Sequence, residues 1–502
     1  MVVACPVVVL RRAMGLFSLS AMALGCHPTE KAPSSSPPPQ APYGVYLSSS
    51  EAEGGELCFD PDSSRLRALL SAQRPNAEDS VDAQALARDL PFLEKTMRLQ
   101  YAGYANLVQR GDFDLAQFFE EWRRDLSSAG AKVTVDRGLL APLRKLRAVF
   151  PDNHHTVWGP SLREEPSFKV REYQAWVSSA EAVGPLASCR IQGPGAAFSH
   201  TLRLAPMVGP DGSRLVLTVS VRGGGERISA QCSGGAFELH PRPDVAKRIP
   251  PTQQEKLYTW RPVGDAAVIT VRRLWGTGVQ EQQLEELAKD YEAHRHFARI
   301  IFDFRGNGGG SDSPIYAWIA KAKNGLWDSG AERVLEGALT PCPTWNTVVQ
   351  RQIQDRTVDT QEARDERAKV RAKWPHGLHR ASWVYHSGVI DEHSDHPYSG
   401  RIYVLTDRHA GSSGESGPLA LKLALGALLV GERTDGTLEF GNQSTFILPH
   451  SGVRWNLPIK QNLFEQPVES VGVPVDVYLA DSAAPIERIV PMLMAERLPP
   501  AR

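Results

Sequence analysis

The chain has 502 residues, 42% hydrophobic and 23% charged, with a formal net charge of −1. Such a length predicts two or three domains with a large buried core, and the composition is that of a globular protein. A balanced charge offers no field that would draw nucleic acid or an acidic membrane surface, so neither is expected as a partner.

Near the N-terminus, Arg11 and Arg12 precede an apolar stretch, Ala13 to Gly25. It is too short to span a bilayer and fits an export signal. Ala23-Leu24-Gly25-Cys26 resembles a bacterial lipobox, although Leu is more usual three positions before the Cys. Residues 1–26 are therefore expected to be a lipoprotein signal peptide, with Cys26 as the lipidated residue. Residues 27–45 form a Pro/Ser-rich tether that cannot pack a core. The expected place is the bacterial cell envelope, facing the periplasm or the exterior, with membrane contact only through a lipid anchor.

Residues 46–165 read as a helical domain. Leu86, Leu90, Leu93, Met97 and Tyr101 recur at helical spacing, as do Phe118, Phe119 and Trp122. Asp112 or Asp114 is the expected cap of the helix ending near Trp122. Residues 166–255 are β-rich, with alternating runs such as Leu215 to Val219 between Gly and Pro turns. A Gly-Leu-Gly-Phe-type carboxylate loop is not seen there, so a standard PDZ domain is not supported. Of six cysteines, Cys5 and Cys26 fall in the leader, and Cys58, Cys189, Cys232 and Cys342 match no zinc spacing. Cys189 and Cys232 share the strand-rich segment and either pair in an oxidising compartment or stay buried thiols.

From 256 to 482, strands and helices alternate. Ala266 to Val271, Arg299 to Phe304 and Arg401 to Leu405 read as strands. Gln280 to Phe297, Ser311 to Ala322 and Pro418 to Val430 read as helices. The pattern implies an α/β core with a partly parallel sheet. A charged helical insertion lies near 340–390, and residues 483–502 form a tail.

Four motifs carry candidate chemistry. His409-Ala410-Gly411-Ser412-Ser413-Gly414-Glu415 puts Ser412 on a strand-to-helix turn, where it is either a nucleophile or a helix cap. Asp303-Phe304-Arg305-Gly306-Asn307-Gly308-Gly309-Gly310 runs from a strand into a glycine cluster. It lacks the Gly-Lys-Ser/Thr ending of a phosphate loop and suits an oxyanion hole or a tight turn. Asp152-Asn153-His154-His155 offers a general base, and Glu469, before a Gly/Pro turn, a carboxylate to orient it.

This ordered set resembles the C-terminal processing (tail-specific) serine peptidase family, closest to its tricorn-core and retinoid-binding-protein-like branch. The similarity covers roughly residues 85–160 and 255–480. It implies a crotonase/ClpP-like ββα spiral core. It implies Ser412 as nucleophile, and Gly308 or Gly309 with the Ser413 N–H as oxyanion hole. It further implies His154 as base, with His155 the one-residue alternative, and Glu469 as its carboxylate. The implied substrates are extended polypeptides, and neither metal nor cofactor is needed. The larger bacterial branch uses a Lys base 25 positions after its Ser, where this chain has Thr437. Lys422 lies about three helical turns from Ser412 and is too far to serve. A silent binding protein on the same fold is the second reading. An acyl-CoA enzyme of the crotonase superfamily is disfavoured by export.

Overall fold

A computed structural model describes residues 79–495 except for several internal stretches, the longest being 158–169, 243–255, 338–359 and 374–382. The leader, the tether and Cys26 lie outside the described residues, as does Asp112. No helix among the described residues is long and apolar enough to cross a membrane.

The fold is mixed α/β. Among the described residues the large sheet has twelve strands. Its parallel centre runs through Ala266–Val271, Arg299–Asp303, Arg401–Thr406, Leu428–Gly431, Val477–Leu479 and His200–Gly209. The first five of these strands are apolar at most positions because both faces are covered. Ile300, Phe302, Ile402 and Val404 point into one core with Leu284, Trp318, Ile319 and Leu421. Ile301, Tyr403 and Leu405 point into the opposite core with Ile489, Val490 and Leu493.

Two expectations change. The apolar run Pro418 to Val430 is not one helix. The helix Ser413–Leu425 stops at Gly426, whose left-handed backbone (φ 66°) lets its N–H close on the Leu421 and Lys422 carbonyls. Leu428–Gly431 then joins the sheet. Gln280 to Phe297 likewise divides into helices Val279–Lys289 and Tyr291–His294. Within the β-rich segment, His200–Gly209 continues the core sheet beside Val477–Leu479. Arg242 reinforces that join. It lies 3.4 Å from Glu172 and 3.5 Å from Glu432, with its guanidinium over the Tyr478 ring. Cys189 and Cys232 are joined by a disulfide within this segment. In the charged insertion, the helix Gln361–Lys373 is present.

The helical module packs on a hairpin of the core. Helix Ala83–Gln100 is capped by Asp82, and helix Leu115–Ser128 by Asp114, whose side chain accepts from the Ala116 and Gln117 N–H groups. Leu90, Leu93, Phe119 and Trp122 share one cluster with Phe440, Leu448, Trp455 and Leu457. Asp89, fully buried, fastens the hairpin turn. It accepts from the His450 and Ser451 N–H groups at 2.8 and 2.7 Å, and from the Ser451 hydroxyl. After the module, Thr156–Val157 pairs with Trp455 and Asn456 of strand Arg454–Leu463. This pairing delivers the histidine loop to the core.

Candidate active site

Two loops meet at the C-terminal ends of adjacent parallel strands, where α/β proteins bind ligands. In the first, Asp303 and Arg305 form a buried two-pronged ion pair with contacts of 2.8 and 2.7 Å. The other arm of Arg305 donates to the Ser482 and Ala484 carbonyls. The Asp-x-Arg pair thus ties the glycine loop to the C-terminal segment and holds its shape. Asp407 of the second loop accepts from the Gly306 N–H at 2.9 Å, and the Gly411 N–H donates to the Asn307 carbonyl at 2.9 Å.

Ser412 opens helix Ser413–Leu425 with φ 53° and ψ −122°. An ordinary N-cap is extended. Positive φ at a residue with a side chain is strained, and such strain gathers at functional sites. Of three such non-glycine residues described, Ser470 beside Glu469 is another. Gly309 lies against the turn. A Cβ there would stand 2.7 Å from the Ser412 Cβ, so only glycine fits.

The Gly309 N–H donates to the Asn307 side chain at 2.9 Å. Among the described residues, the Gly308 and Ser413 N–H groups have no acceptor. Between the two glycines, Gly308 is the one with a donor to spare.

Glu415 is the hub behind Ser412. It is fully buried and accepts from the N–H groups of Ser412, Gly436 and Thr437 at 3.2, 2.9 and 2.7 Å. The hydroxyls of Thr437 and Thr434 also donate to it. Burial, with the Asp435 carboxylate adding to it, pushes the Glu415 carboxyl up to about 7 against the pull of these bonds. Thr437 stands where the bacterial branch has Lys, and its hydroxyl accepts from the Ser412 N–H at 3.0 Å. Lys422 is paired with Asp476 instead.

The two histidines separate. His155 is buried against Tyr101 and Trp455, and its Nε2 accepts from the Trp455 indole at 2.8 Å. His154 turns the other way. Its ring, Asp152 and Glu469 are all buried, with ligating atoms within 4.8 Å of one another. Asp152 shapes the turn by accepting from the His154 N–H at 2.8 Å, and Gln443 donates to the His154 carbonyl. Glu469 in turn accepts from the Glu439 N–H at 3.0 Å, two residues beyond Thr437. Among the described residues Ser412 makes no hydrogen bond to either histidine. The Asp152, His154 and Glu469 donors are of types that also bind divalent cations.

Residues 265–478 match the family model of peptidase family S41. This segment belongs to peptidase family S41. A search of curated proteins gave no match. Among solved structures, mature CPAF complexed with lactacystin is similar at 16% identity over 82% of this chain and 98% of that one, with a TM-score of 0.44. The photosystem II D1 C-terminal processing protease is similar at 14% identity over 80% of this chain and 94% of that one, with a TM-score of 0.36. The tricorn protease is similar at 12% identity over 82% of this chain and 36% of that one, with a TM-score of 0.38. The S41 segment contains both loops, Glu415, Thr437 and Glu469, whereas His154 lies upstream of it. Sequence reasoning missed the roles of Asp407, Glu415 and Thr437 in shaping the S41 loops. The one available signal was a glutamate three residues after the serine.

Proposed function

We propose that the chain is a serine endopeptidase acting on extended or unfolded polypeptides, on a ββα spiral core of the crotonase/ClpP type. Ser412 attacks the scissile carbonyl. His154 takes its proton and returns it to the leaving amine, and Glu469 steadies the imidazolium. Water, activated by the same imidazole, then releases the acyl group from Ser412. The N–H groups of Gly308 and Ser413 hold the oxyanion, an effect worth about 3–4 kcal/mol of barrier. His155 is structural, and the Gly309 N–H is spent on the Asn307 side chain rather than on the oxyanion.

The observation that carries this reading is the arrival of His154 and Glu469 within 4.8 Å of each other. Glu469 is bonded to Glu439, two residues from the Thr437 that bonds Ser412. The Ser412 hydroxyl turns to the imidazole when substrate binds, as catalytic hydrogen bonds often tighten only in the complex. A fluorophosphonate probe should label the protein, and Ser412→Ala should abolish the labelling. Absence of labelling across a range of pH would sink the peptidase reading.

Thr437, standing where the bacterial branch carries its Lys base, favours a second reading, a silent binding protein on the same fold. Under that reading the probe does not label, yet unfolded polypeptides still bind. We also propose attachment to the envelope through a lipid on Cys26. Labelled fatty acid should enter the parent chain and not Cys26→Ser.

A further inference from the structure

We propose that Asp152, His154 and Glu469 form a reversible binding site for a divalent metal ion of the zinc type, and that the seated ion holds the peptidase off. The inference rests on the peptidase reading for this consequence and not for the binding itself. Asp152 takes no step in the proposed reaction, for which a base and one carboxylate suffice. Yet it is fully buried beside that base. A second carboxylate at one imidazole completes a set of three donors.

The geometry suits a metal. Asp152 and His154 stand on the turn between helix Ala141–Val149 and strand Thr156–Val157, and Glu469 comes from far downstream in the core. One ligand atom from each lies within 4.8 Å of the other two. Two ligands on a tetrahedral ion, with bonds of about 2.0–2.2 Å, stand about 3.3–3.6 Å apart. The separations therefore need to close by no more than about 1.5 Å. Backbone bonds aim both carboxylates: Asp152 accepts from the His154 N–H at 2.8 Å and Glu469 from the Glu439 N–H at 3.0 Å. Carboxylate ligands at metal sites are held by hydrogen bonds in the same way. His154 and Glu469 keep 7% and 8% of their surface exposed, so an ion can enter.

Charge and donor type choose the occupant. An imidazolium balances only one of two carboxylates, whereas a divalent cation matches both. Magnesium and calcium take oxygen ligands, while an imidazole nitrogen suits zinc and its transition-metal neighbours. The bound ion then disables the base. A dication on one ring nitrogen disfavours a proton on the other, because both charges would share one ring. Glu469 is also spent on the metal and no longer steadies an imidazolium. His154 in that state does not take the Ser412 proton.

Binding is measured by isothermal titration of Zn²⁺ into the full chain after chelator treatment, with Mg²⁺ as the control. We expect one Zn²⁺ per chain and no binding of Mg²⁺. Asp152→Asn and Glu469→Gln should each weaken Zn²⁺ about tenfold or more, and His154→Ala should abolish binding. The ligands come from two distant parts of the chain, so Zn²⁺ should also raise the thermal unfolding midpoint of the parent. That measurement carries the test if a variant misfolds. Equal Zn²⁺ affinity in the parent and all three variants overturns the site, as does an unmoved midpoint. Fluorophosphonate labelling reads the consequence. Zn²⁺ should slow labelling of the parent about tenfold or more, and EDTA should restore it. Labelling unchanged by saturating Zn²⁺ overturns the inhibition. Zn²⁺ binding that the variants lose, with no labelling under any condition, supports the site and sinks only the peptidase reading.

Discussion

His154 and His155 are neighbours in sequence with opposite surroundings. His155 Nε2 is occupied by the Trp455 indole inside an aromatic cluster, whereas His154 faces two carboxylates. We therefore expect His154→Ala to slow peptide turnover by a factor of about 10² to 10⁴ with little change in unfolding midpoint. His155→Ala should instead lower the midpoint, because it leaves a buried indole N–H without an acceptor at a cost of about 1–3 kcal/mol. Steady-state kinetics beside denaturant unfolding separates the two outcomes. Glu415 gives a pH signature. Its folded carboxyl is raised from 4.5 to about 7, so the folded state holds the proton more tightly than the unfolded one. The stability contributed by this group is present below about pH 4.5 and is lost as pH rises to about 7. The loss is on the order of 3 kcal/mol. Urea unfolding across that range should show the decline in the parent, and Glu415→Gln should lack that component of the slope.

At the scale of elements, the decisive contact is the one between the helical module and the hairpin Phe440–Leu463. Asp89 sits on helix Ala83–Gln100 and clamps the turn at His450 and Ser451. Strand Arg454–Leu463 in turn carries the pairing that places the histidine loop. Asp89→Ala leaves several donors without an acceptor, at a cost of about 1–3 kcal/mol for each that stays buried. Hydrogen exchange should quicken first at the hairpin amides. Uniform exchange across the hairpin and the central sheet would contradict the clamp. Among elements read from sequence, Ala266–Val271 was legible to the residue because a buried parallel strand must be apolar on both faces. The Pro418 to Val430 run was not. An apolar stretch suits a buried helix and a buried strand alike, and only the left-handed turn at Gly426 separates them.

For the whole molecule, the β-rich segment is held to the core by the sheet, by Arg242 and by its own packing. The Cys189–Cys232 disulfide closes a separation of 43 residues inside that segment. Replacing both cysteines by serine should lower stability by about 2–4 kcal/mol. Limited proteolysis should then cut first between residues 170 and 242. Cleavage appearing first in the central parallel strands would show that the bridge stabilises something else. The chemistry on offer is written in the chain: a serine on a strand-to-helix turn, a glycine loop after a strand, and a histidine pair on an upstream turn. These are local patterns, set by backbone conformation and by which residue types tolerate it. Which histidine meets Glu469, which glycine N–H is left to donate, and how the β-rich segment extends the core sheet emerge only when the chain is folded. Each of those depends on contacts between residues far apart in the chain, and local periodicity carries no record of them.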